Sequence, residues 1–498
     1  MAVAASLMIQ GTCSGAGKSQ LVAGLARILA DEGVRVAPFK SQNMALNSFI
    51  THEGAEIGRA QALQAEAARI EPESDMNPVL LKAQGDKGCQ VILGGRVHSN
   101  MTAKEYYAFR DEAWSVISEA YARLSGKYDV ILIEGAGSPA EINLSEQEVV
   151  NMRVARHTGS PVLLVGDIER GGVFASFYGT HALVGSDSRY IKGYVVNKFR
   201  GDADILTPGL EMIREKTGVP VVGVLPWVGD LGLDEEDGLA LPYSGLAARK
   251  NESAYHTLRI TVIRLPYISN FTDFAPLQVE PDVELAFSVQ AGEIETSDMI
   301  IIPGSKNTTH DMEFLNRSGL SDSVRRAARR GAHVAGVCGG YQMLGKRVLD
   351  PLGVEGGPQE VRGIGLLEVE TVLKGEKTTT QTEAMTTLYG NTARLKGYEI
   401  HMGETTGGSG LWDLTRLSTG QRVKDGAKEG NVWGTYLHGL FDNDGFRSAM
   451  LDSLRASKGM AVPEEPISYE GIRQRNMDRW ADILRQHLDM GFIRELLR

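Results

Sequence analysis

A glycine-rich segment near the start of the sequence has the composition of a phosphate-binding loop. It reads Gly11-Thr-Cys-Ser-Gly15-Ala-Gly17-Lys18-Ser19 and lies between an apolar run and a helical pattern. The standard loop would place its leading glycine at position 12, one residue later than here. The inner glycines would still let successive backbone N–H groups face an anion. Lys18 could then reach the β- and γ-phosphates, and the Ser19 hydroxyl could ligate Mg²⁺. The residues predicted to bind ATP are Gly11, Thr12, Gly15, Ala16, Gly17, Lys18 and Ser19.

Polar side chains at the ends of other apolar runs could complete this nucleotide site. Glu134 ends the run Val130–Ile133 and would lie at the edge of a parallel sheet where ligands bind. We predict that Glu134 orders Mg²⁺ together with Ser19, although a solvated glutamate at a strand end is the alternative. Lys40 could add positive charge at the phosphates, and Asn197 could contact an adenine edge. Asp167 could also belong to this site, but it could equally be a structural turn residue.

A second reactive segment, Gly336-Val-Cys338-Gly-Gly340, follows the apolar run His333–Val337. Glycine two residues before and two residues after a nucleophile is typical of the sharp elbow between a strand and a helix. The helix N-terminus would favour the thiolate, and backbone N–H groups there could stabilise an oxyanion. We therefore predict that Cys338 is a nucleophile rather than a small buried apolar residue.

A cysteine nucleophile needs a base, and the best-placed histidine is His438, which follows a strand about 100 residues downstream. His401 is the competing candidate. The loop Ile302–Asn307 also follows a strand and could provide a second oxyanion donor. The sequence thus predicts covalent thiol chemistry in addition to phosphate chemistry.

Composition limits the partners of these sites. The chain has 498 residues, with 52 Lys and Arg against 63 Asp and Glu, giving a net charge of -11. No global basic field exists for nucleic acid or for an anionic membrane, so we expect neither as a partner. Three scattered cysteines fit a reducing compartment, and we expect a cytoplasmic protein. The sequence does not determine its oligomeric state.

Residues 1–242 alternate between apolar runs and helical patterns. Runs that are continuously apolar indicate strands buried on both faces of a parallel sheet, so we predict a doubly wound α/β domain. The predicted strands are Ser6–Gln10, Val34–Phe39, Val130–Glu134, Val162–Asp167, Tyr194–Asn197 and Val219–Leu225. The predicted helices are Lys18–Asp31, Ile57–Ile70, Ala103–Leu124, Glu146–His157 and Ile205–Thr217.

A polar, glycine-containing linker is predicted at 243–257, and a second α/β series begins after it. We predict that residues 258–445 form this second domain and that 446–498 form a helical extension packed on it. The predicted strands of the second domain are Arg259–Leu265, Met299–Pro303, His333–Val337 and Asn431–Tyr436.

A phosphate loop joined to a Cys/His elbow resembles the glutamine-dependent amidotransferases of cobalamin biosynthesis over nearly the whole chain. The first loop is similar to that of dethiobiotin-synthetase-like ATPases, which explains the shifted glycine. The elbow and His438 are similar to class I glutaminases, whose domain is flavodoxin-like. Leu440 stands where that class has glutamate, so the third catalytic residue stays open. Within this family, four segments resemble the members that form four amides on their substrate. They are Lys40–Asn47, Asp167–Phe174, Asn197–Asp202 and Leu265–Phe274.

The resemblance implies an amide-forming ligase that uses glutamine, ATP and Mg²⁺. Its implied substrate is a corrinoid, adenosylcobyrinic acid a,c-diamide, whose b, d, e and g carboxylates become amides through acyl phosphates. Two alternatives are the related synthase that forms the a,c-diamide and a non-enzymatic partitioning-type ATPase switch. The segments Asp167–Phe174 and Asn270–Phe274 argue against the first, and the intact elbow argues against the second.

Overall fold

The structure is a computed structural model that describes residues 4–84, 88–229, 231–233, 257–357, 359–390 and 392–498. The predicted linker, 243–257, lies outside the described residues except for Thr257. Within the described part of the chain, no helix is both long and apolar enough to cross a membrane.

A six-stranded parallel sheet forms the centre of the first domain, and helices cover both of its faces. Its central strands are buried along their length, which explains their continuous apolar sequences. The strands, in spatial order, are Val221–Pro226, Ile191–Phe199, Val162–Asp167, Ala5–Gly11, Val130–Glu134 and Val36–Phe39. The helices are Lys18–Asp31, Arg59–Ala67, Ala103–Lys127, Met152–Thr158, Val173–Leu183 and Thr207–Thr217. The doubly wound α/β prediction is confirmed.

A smaller β-structure is inserted between the strand Val36–Phe39 and the helix Ala103–Lys127. It comprises a four-stranded sheet and a separate two-stranded hairpin that carries Ser48 and Glu56. The sequence patterns did not predict it, because several of these strands have only three residues and give little periodicity. The sheet contains Gln42–Met44, Val79–Gln84, Gly88–Leu93 and Arg96–Thr102, and the hairpin pairs Ser48–Ile50 with Glu56–Gly58.

The second domain is built on another six-stranded sheet, in which five strands are parallel and the last is antiparallel. In spatial order they are Val283–Ser288, Leu258–Ile263, Met299–Ile302, His333–Val337, Val432–Thr435 and Ala427–Glu429. The helices around it are Ala275–Gln278, Ala291–Thr296, Thr308–Arg317, Leu320–Arg329, Gly339–Leu344 and Asp444–Ser457. The second α/β domain is therefore confirmed.

A second, largely antiparallel sheet in this domain was not predicted. Its core is a long hairpin whose first strand carries many threonines and charged residues along its middle, so the sequence lacks an apolar strand signal. The strands of this sheet are Arg347–Asp350, Gln359–Arg362, Glu370–Thr386, Ala393–Thr406, Trp412–Arg416 and Arg422–Asp425. The hairpin lines one side of the elbow that carries Cys338.

The C-terminal helices Tyr469–His487 and Met490–Leu496 correct one prediction. They are helical as expected, but they pack on the first domain rather than extend the second. Trp480 donates to the Gln20 carbonyl at 2.7 Å, and Arg27 pairs with Asp478 at 2.8 Å. A Cβ on Gly24 would lie 2.3 Å from a Leu484 methyl carbon, so this glycine allows the helices to approach closely.

Candidate active sites

The thiol of Cys338 lies at a strained turn between the strand His333–Val337 and a short helix. Its φ of 53° is in the left-handed region, which non-glycine residues rarely adopt. A Cβ on Gly340 would lie 1.9 Å from the Ile302 carbonyl oxygen, and one on Gly336 would lie 2.6 Å from that of Gly340. Both flanking glycines are thus required by close backbone approach, as the elbow pattern predicts.

The imidazole of His438 faces this thiol and is held by a carboxylate that the sequence pattern did not identify. Its Nδ1 lies 2.6 Å from Asp273 Oδ2, and the whole side chain is buried. Its Nε2 has no hydrogen-bond partner among the described residues. Burial lowers the pKa of His438, but the charges of Asp273 and Cys338 outweigh it and raise that pKa to about 10. The arrangement therefore favours a protonated imidazole beside Cys338.

Other groups fix the orientation of this imidazole. The ring of Tyr398 stacks on His438 with 5.2 Å between centroids, and the two backbones exchange hydrogen bonds. Asn270, in a left-handed conformation, places its amide nitrogen 3.4 Å from His438 Nδ1. His438 is thus held by its ring face, its Nδ1 edge and its backbone.

The loop that carries Asp273 is anchored by the inserted β-structure of the first domain. The Ser48 N–H donates to Asn270 Oδ1 at 2.9 Å, and the Phe271 N–H donates to Asn47 Oδ1 at 3.2 Å. These groups are buried or partly buried. The first domain therefore helps to position Asp273, which contacts His438 beside Cys338.

The loop predicted to supply a second oxyanion donor lies beside the elbow that carries Cys338. A Cβ on Gly339 would lie 2.9 Å from the Ser305 nitrogen, so the two backbones approach closely next to Cys338. Gly304 and Ser305 pair with Ile268 and Ser269 in a short antiparallel bridge. The strand after Ile302 therefore faces the helix N-terminus at the elbow.

The competing histidine, His401, is engaged elsewhere. Its Nε2 lies 3.2 Å from Glu399 Oε1, its Nδ1 lies 2.8 Å from the Gly403 carbonyl oxygen, and its ring stacks on Tyr436. Both ring nitrogens thus have partners within the second domain. This geometry favours His438 as the base.

The predicted phosphate loop connects the first strand to the helix Lys18–Asp31. Gly15 and Gly17 have positive φ values of 71° and 98°, which explains why glycine is needed at both positions. Lys18 is buried and its Nζ donates to the carbonyl oxygens of Cys13 and Gly137 at 3.2 and 3.3 Å. A Cβ on Gly11 would lie 3.0 Å from that Nζ, so the shifted leading glycine leaves room for the lysine.

Glu134 lies at the base of this loop with the partners of a buried carboxylate. Its Oε1 accepts hydrogen bonds from Ser19 Oγ at 2.8 Å and from Lys40 Nζ at 2.9 Å, and its Oε2 accepts one from Gln64. Burial raises the pKa of Glu134, but the charge of Lys40 and these hydrogen bonds lower it below its usual value. The Ser19 hydroxyl and the Glu134 carboxylate form a pair of hard oxygen donors of the kind that Mg²⁺ prefers.

Asn197 contacts the phosphate loop rather than open space. Its Nδ2 donates to the Ala16 carbonyl at 2.8 Å, and a Cβ on Gly17 would lie 2.1 Å from that nitrogen. Next to it, Lys198 donates to the Gly15 carbonyl and pairs with Asp167 at 3.0 Å. Asp167 also accepts from the Glu169 N–H, as expected of a turn residue. Contact of Asn197 with adenine stays a prediction.

Comparison with known proteins identifies the family. A curated cobyric acid synthase from Photorhabdus laumondii is 48% identical over 99% of this chain and 98% of its own length. Those from Limosilactobacillus reuteri and Thermodesulfovibrio yellowstonii are 46% and 43% identical, with 98% or more of each chain covered. The chain belongs to the cobyric acid synthase family.

Family models match both domains of this chain. Residues 7–241 match the CobQ/CobB/MinD/ParA nucleotide-binding domain, and residues 259–446 match the CobB/CobQ-like glutamine amidotransferase domain. The first contains the phosphate loop and the second contains Cys338, Asp273 and His438. The chain thus joins a nucleotide-binding domain and a glutamine amidotransferase domain.

Proposed function

We propose that this chain is a cobyric acid synthase that amidates the b, d, e and g carboxylates of adenosylcobyrinic acid a,c-diamide, using glutamine and ATP. The observation that carries the proposal is full-length similarity to cobyric acid synthases, combined with a nucleotide-binding domain and a glutamine amidotransferase domain in one chain. An ATPase switch has no use for a buried Cys–His–Asp set. We also propose a cytoplasmic location, where glutamine and ATP are available.

In the second domain, we assign glutamine hydrolysis to Cys338, His438 and Asp273. The Cys338 thiolate attacks the glutamine carboxamide carbon, and the backbone N–H groups near Gly339 and Ser305 stabilise the oxyanion. His438 gives a proton from Nε2 to the departing ammonia, which leaves a glutamyl thioester. His438 then takes a proton from water as the water attacks the thioester, and glutamate leaves. Asp273 holds Nδ1 throughout and stabilises the imidazolium.

In the first domain, we assign ATP binding to the phosphate loop, with Lys18 near the transferred phosphoryl group. A corrinoid carboxylate oxygen attacks the γ-phosphorus, ADP leaves, and ammonia then displaces phosphate from the acyl phosphate to form the amide. Ser19 and Glu134 would hold Mg²⁺, whose chemistry is to offset charge on the phosphates. Lys40 stabilises the buried Glu134 and lies close enough to add positive charge beside the loop.

Replacement of Asp273 tests the proposed triad. Asp273→Asn removes the negative charge that raises the pKa of His438 while the burial that lowers this pKa remains. The imidazolium should then deprotonate at lower pH, so alkylation of Cys338 by iodoacetamide should slow at neutral pH and its profile should move to higher pH. Glutamine hydrolysis should fall by roughly 10²-fold or more.

The control for this change is Asp413→Asn, at an exposed aspartate in the strand Trp412–Arg416. It should leave both the alkylation profile and glutamine hydrolysis unchanged. An Asp273→Asn profile that coincides with that of the unmodified protein would show that His438 does not depend on Asp273.

Transfer of an oxygen label tests the proposed activation of the substrate. If a corrinoid carboxylate attacks the γ-phosphorus, then ¹⁸O placed in the reacting carboxylates should appear in inorganic phosphate as amides form. Mass spectrometry of the phosphate measures this transfer. Label in AMP would indicate an acyl adenylate instead, and unlabelled phosphate would exclude the acyl phosphate.

A further inference from the structure

The pocket at Cys338 contains buried and half-buried charged side chains from both domains that glutamine hydrolysis, as described above, does not use. We call Lys82, Lys306 and Lys377 the lysine cluster. The pocket is lined by this cluster together with Glu355, Cys338 and His438. Lys82 belongs to the inserted sheet of the first domain, whereas Lys377 belongs to the long hairpin of the second.

The charges of the lysine cluster are unequally compensated. Glu56, which is 1% exposed, accepts from Lys82 at 2.8 Å through Oε1 and from Lys377 at 2.5 Å through Oε2. Lys306 donates to Gln90 Oε1 at 3.2 Å, and no carboxylate of the described residues lies within ion-pair distance of its Nζ. Both oxygens of Glu56 are therefore occupied, and Lys306 is the ammonium group left without an anionic partner.

An ammonium group without an anionic partner is costly to withdraw from water, even when it is only half-buried. Burial, together with the charges of Lys377 and Lys82, lowers the pKa of Lys306 to about 7. Burial also lowers the pKa of Lys377 to about 8, against the opposing charge of Glu56. A bound carboxylate would favour the charged form of both lysines. The cluster therefore has the charge of an anion site on the wall of the pocket that contains the reactive thiol.

The same pocket also contains an acidic side chain, Glu355, whose charge is opposite to that of the lysine cluster. Glu355 Oε2 accepts from the Thr309 N–H at 2.9 Å, and no lysine or arginine of the described residues forms an ion pair with this side chain. Burial raises the pKa of Glu355, while the nearby charge of Lys306 opposes this shift. A pocket with ammonium groups and a carboxylate matches the two charges of an α-amino acid.

We infer that Lys306 and Lys377 bind the α-carboxylate of glutamine and that Glu355 binds its α-ammonium group, which places the side-chain carboxamide toward Cys338. This assignment rests on the glutaminase function proposed above. Glu56 and Gln90 of the first domain position the two lysines, so the glutamine pocket is completed by the domain that consumes the ammonia.

The test compares two reagents that alkylate Cys338 in the full-length protein. 6-Diazo-5-oxo-L-norleucine carries the α-amino acid group of glutamine, whereas iodoacetamide lacks it. Lys306→Met should slow inactivation by the first reagent and raise KM for glutamine by roughly 10- to 100-fold, as expected for loss of a hydrogen bond to a charged group. Alkylation by iodoacetamide should keep its rate. Glu355→Gln should show the same selectivity.

Lys374→Met is the control, because Lys374 lies on the hairpin strand that carries Lys377 but has an exposed side chain. It should leave both alkylation rates unchanged. Ammonium-dependent amide synthesis reports whether each variant folds, since it bypasses the glutamine pocket. Equal slowing of both reagents in Lys306→Met and Glu355→Gln, or no slowing of either, would overturn the assignment.

Failure of this inference can be told apart from failure of the proposed function. If Cys338→Ser abolishes glutamine hydrolysis while Lys306→Met and Glu355→Gln keep the normal KM, the glutaminase assignment stands and the α-amino acid site is wrong. If Cys338→Ser still hydrolyses glutamine at the normal rate, the glutaminase mechanism proposed for Cys338 is itself wrong.

Discussion

Cys338→Ser should abolish amide synthesis from glutamine and preserve synthesis from added ammonium salt. The hydroxyl is nearly isosteric with the thiol, so the elbow and its glycine contacts should persist. It is a much poorer nucleophile beside an imidazolium, because it does not ionise near neutral pH. The measurement is the rate of corrinoid amidation with each nitrogen source, at saturating ATP.

Two comparisons make this result decisive. Cys89→Ser, at a partly buried cysteine of the inserted sheet, should leave both rates unchanged. A Cys338→Ser protein that cannot use ammonium either would indicate a structural role for Cys338. One that still uses glutamine at the normal rate would exclude the thioester.

Lys18→Ala should lower amide synthesis by roughly 10²- to 10³-fold with either nitrogen source, because the lost charge acts mainly as the phosphoryl group transfers. The defect should appear in the rate at saturating ATP more than in ATP binding. Glutamine hydrolysis should persist, since Cys338, His438 and Asp273 belong to the other domain.

This variant and Cys338→Ser should therefore have opposite patterns. Cys338→Ser should lose only the synthesis that uses glutamine, whereas Lys18→Ala should lose synthesis from both nitrogen sources. Normal ammonium-dependent synthesis by a folded Lys18→Ala protein would contradict the assignment of the phosphate loop. Circular dichroism and thermal unfolding establish that the variant is folded.

Local spacing was enough to predict the phosphate loop and the elbow, while the chemical roles of their residues stay predictions. Cys338 and the phosphate loop each lie in a short segment whose glycines indicate a sharp turn. His438 follows a strand that pairs with the strand before the elbow. Asp273 could not be found this way, because it lies 165 residues from His438 and reaches it only through the folded loop. A signal was present in the segment Leu265–Phe274, which resembled the family but had no assigned chemistry.

The parts of the fold that local patterns failed to predict depend on contacts between distant segments. The inserted hairpin around Glu56 has very short strands, and the Thr-rich middle of the strand Glu370–Thr386 lacks an apolar run. Likewise, the amphipathic helix Tyr469–His487 shows an apolar face but not which domain will cover it. Gly24 in the first helix and Gly223 in the edge strand are glycines that this close approach requires, but their residue type alone does not identify the partner.

The number of amides formed from amide-¹⁵N-labelled glutamine tests the proposed reaction most directly. The unmodified full-length protein is incubated with ATP, Mg²⁺, labelled glutamine and adenosylcobyrinic acid a,c-diamide, and the product is analysed by mass spectrometry. We predict a final product with four labelled amide nitrogens, at the b, d, e and g positions. A protein that leaves the a,c-diamide unchanged but adds two labelled amides to cobyrinic acid, at a and c, would contradict this proposal and identify the related diamide synthase.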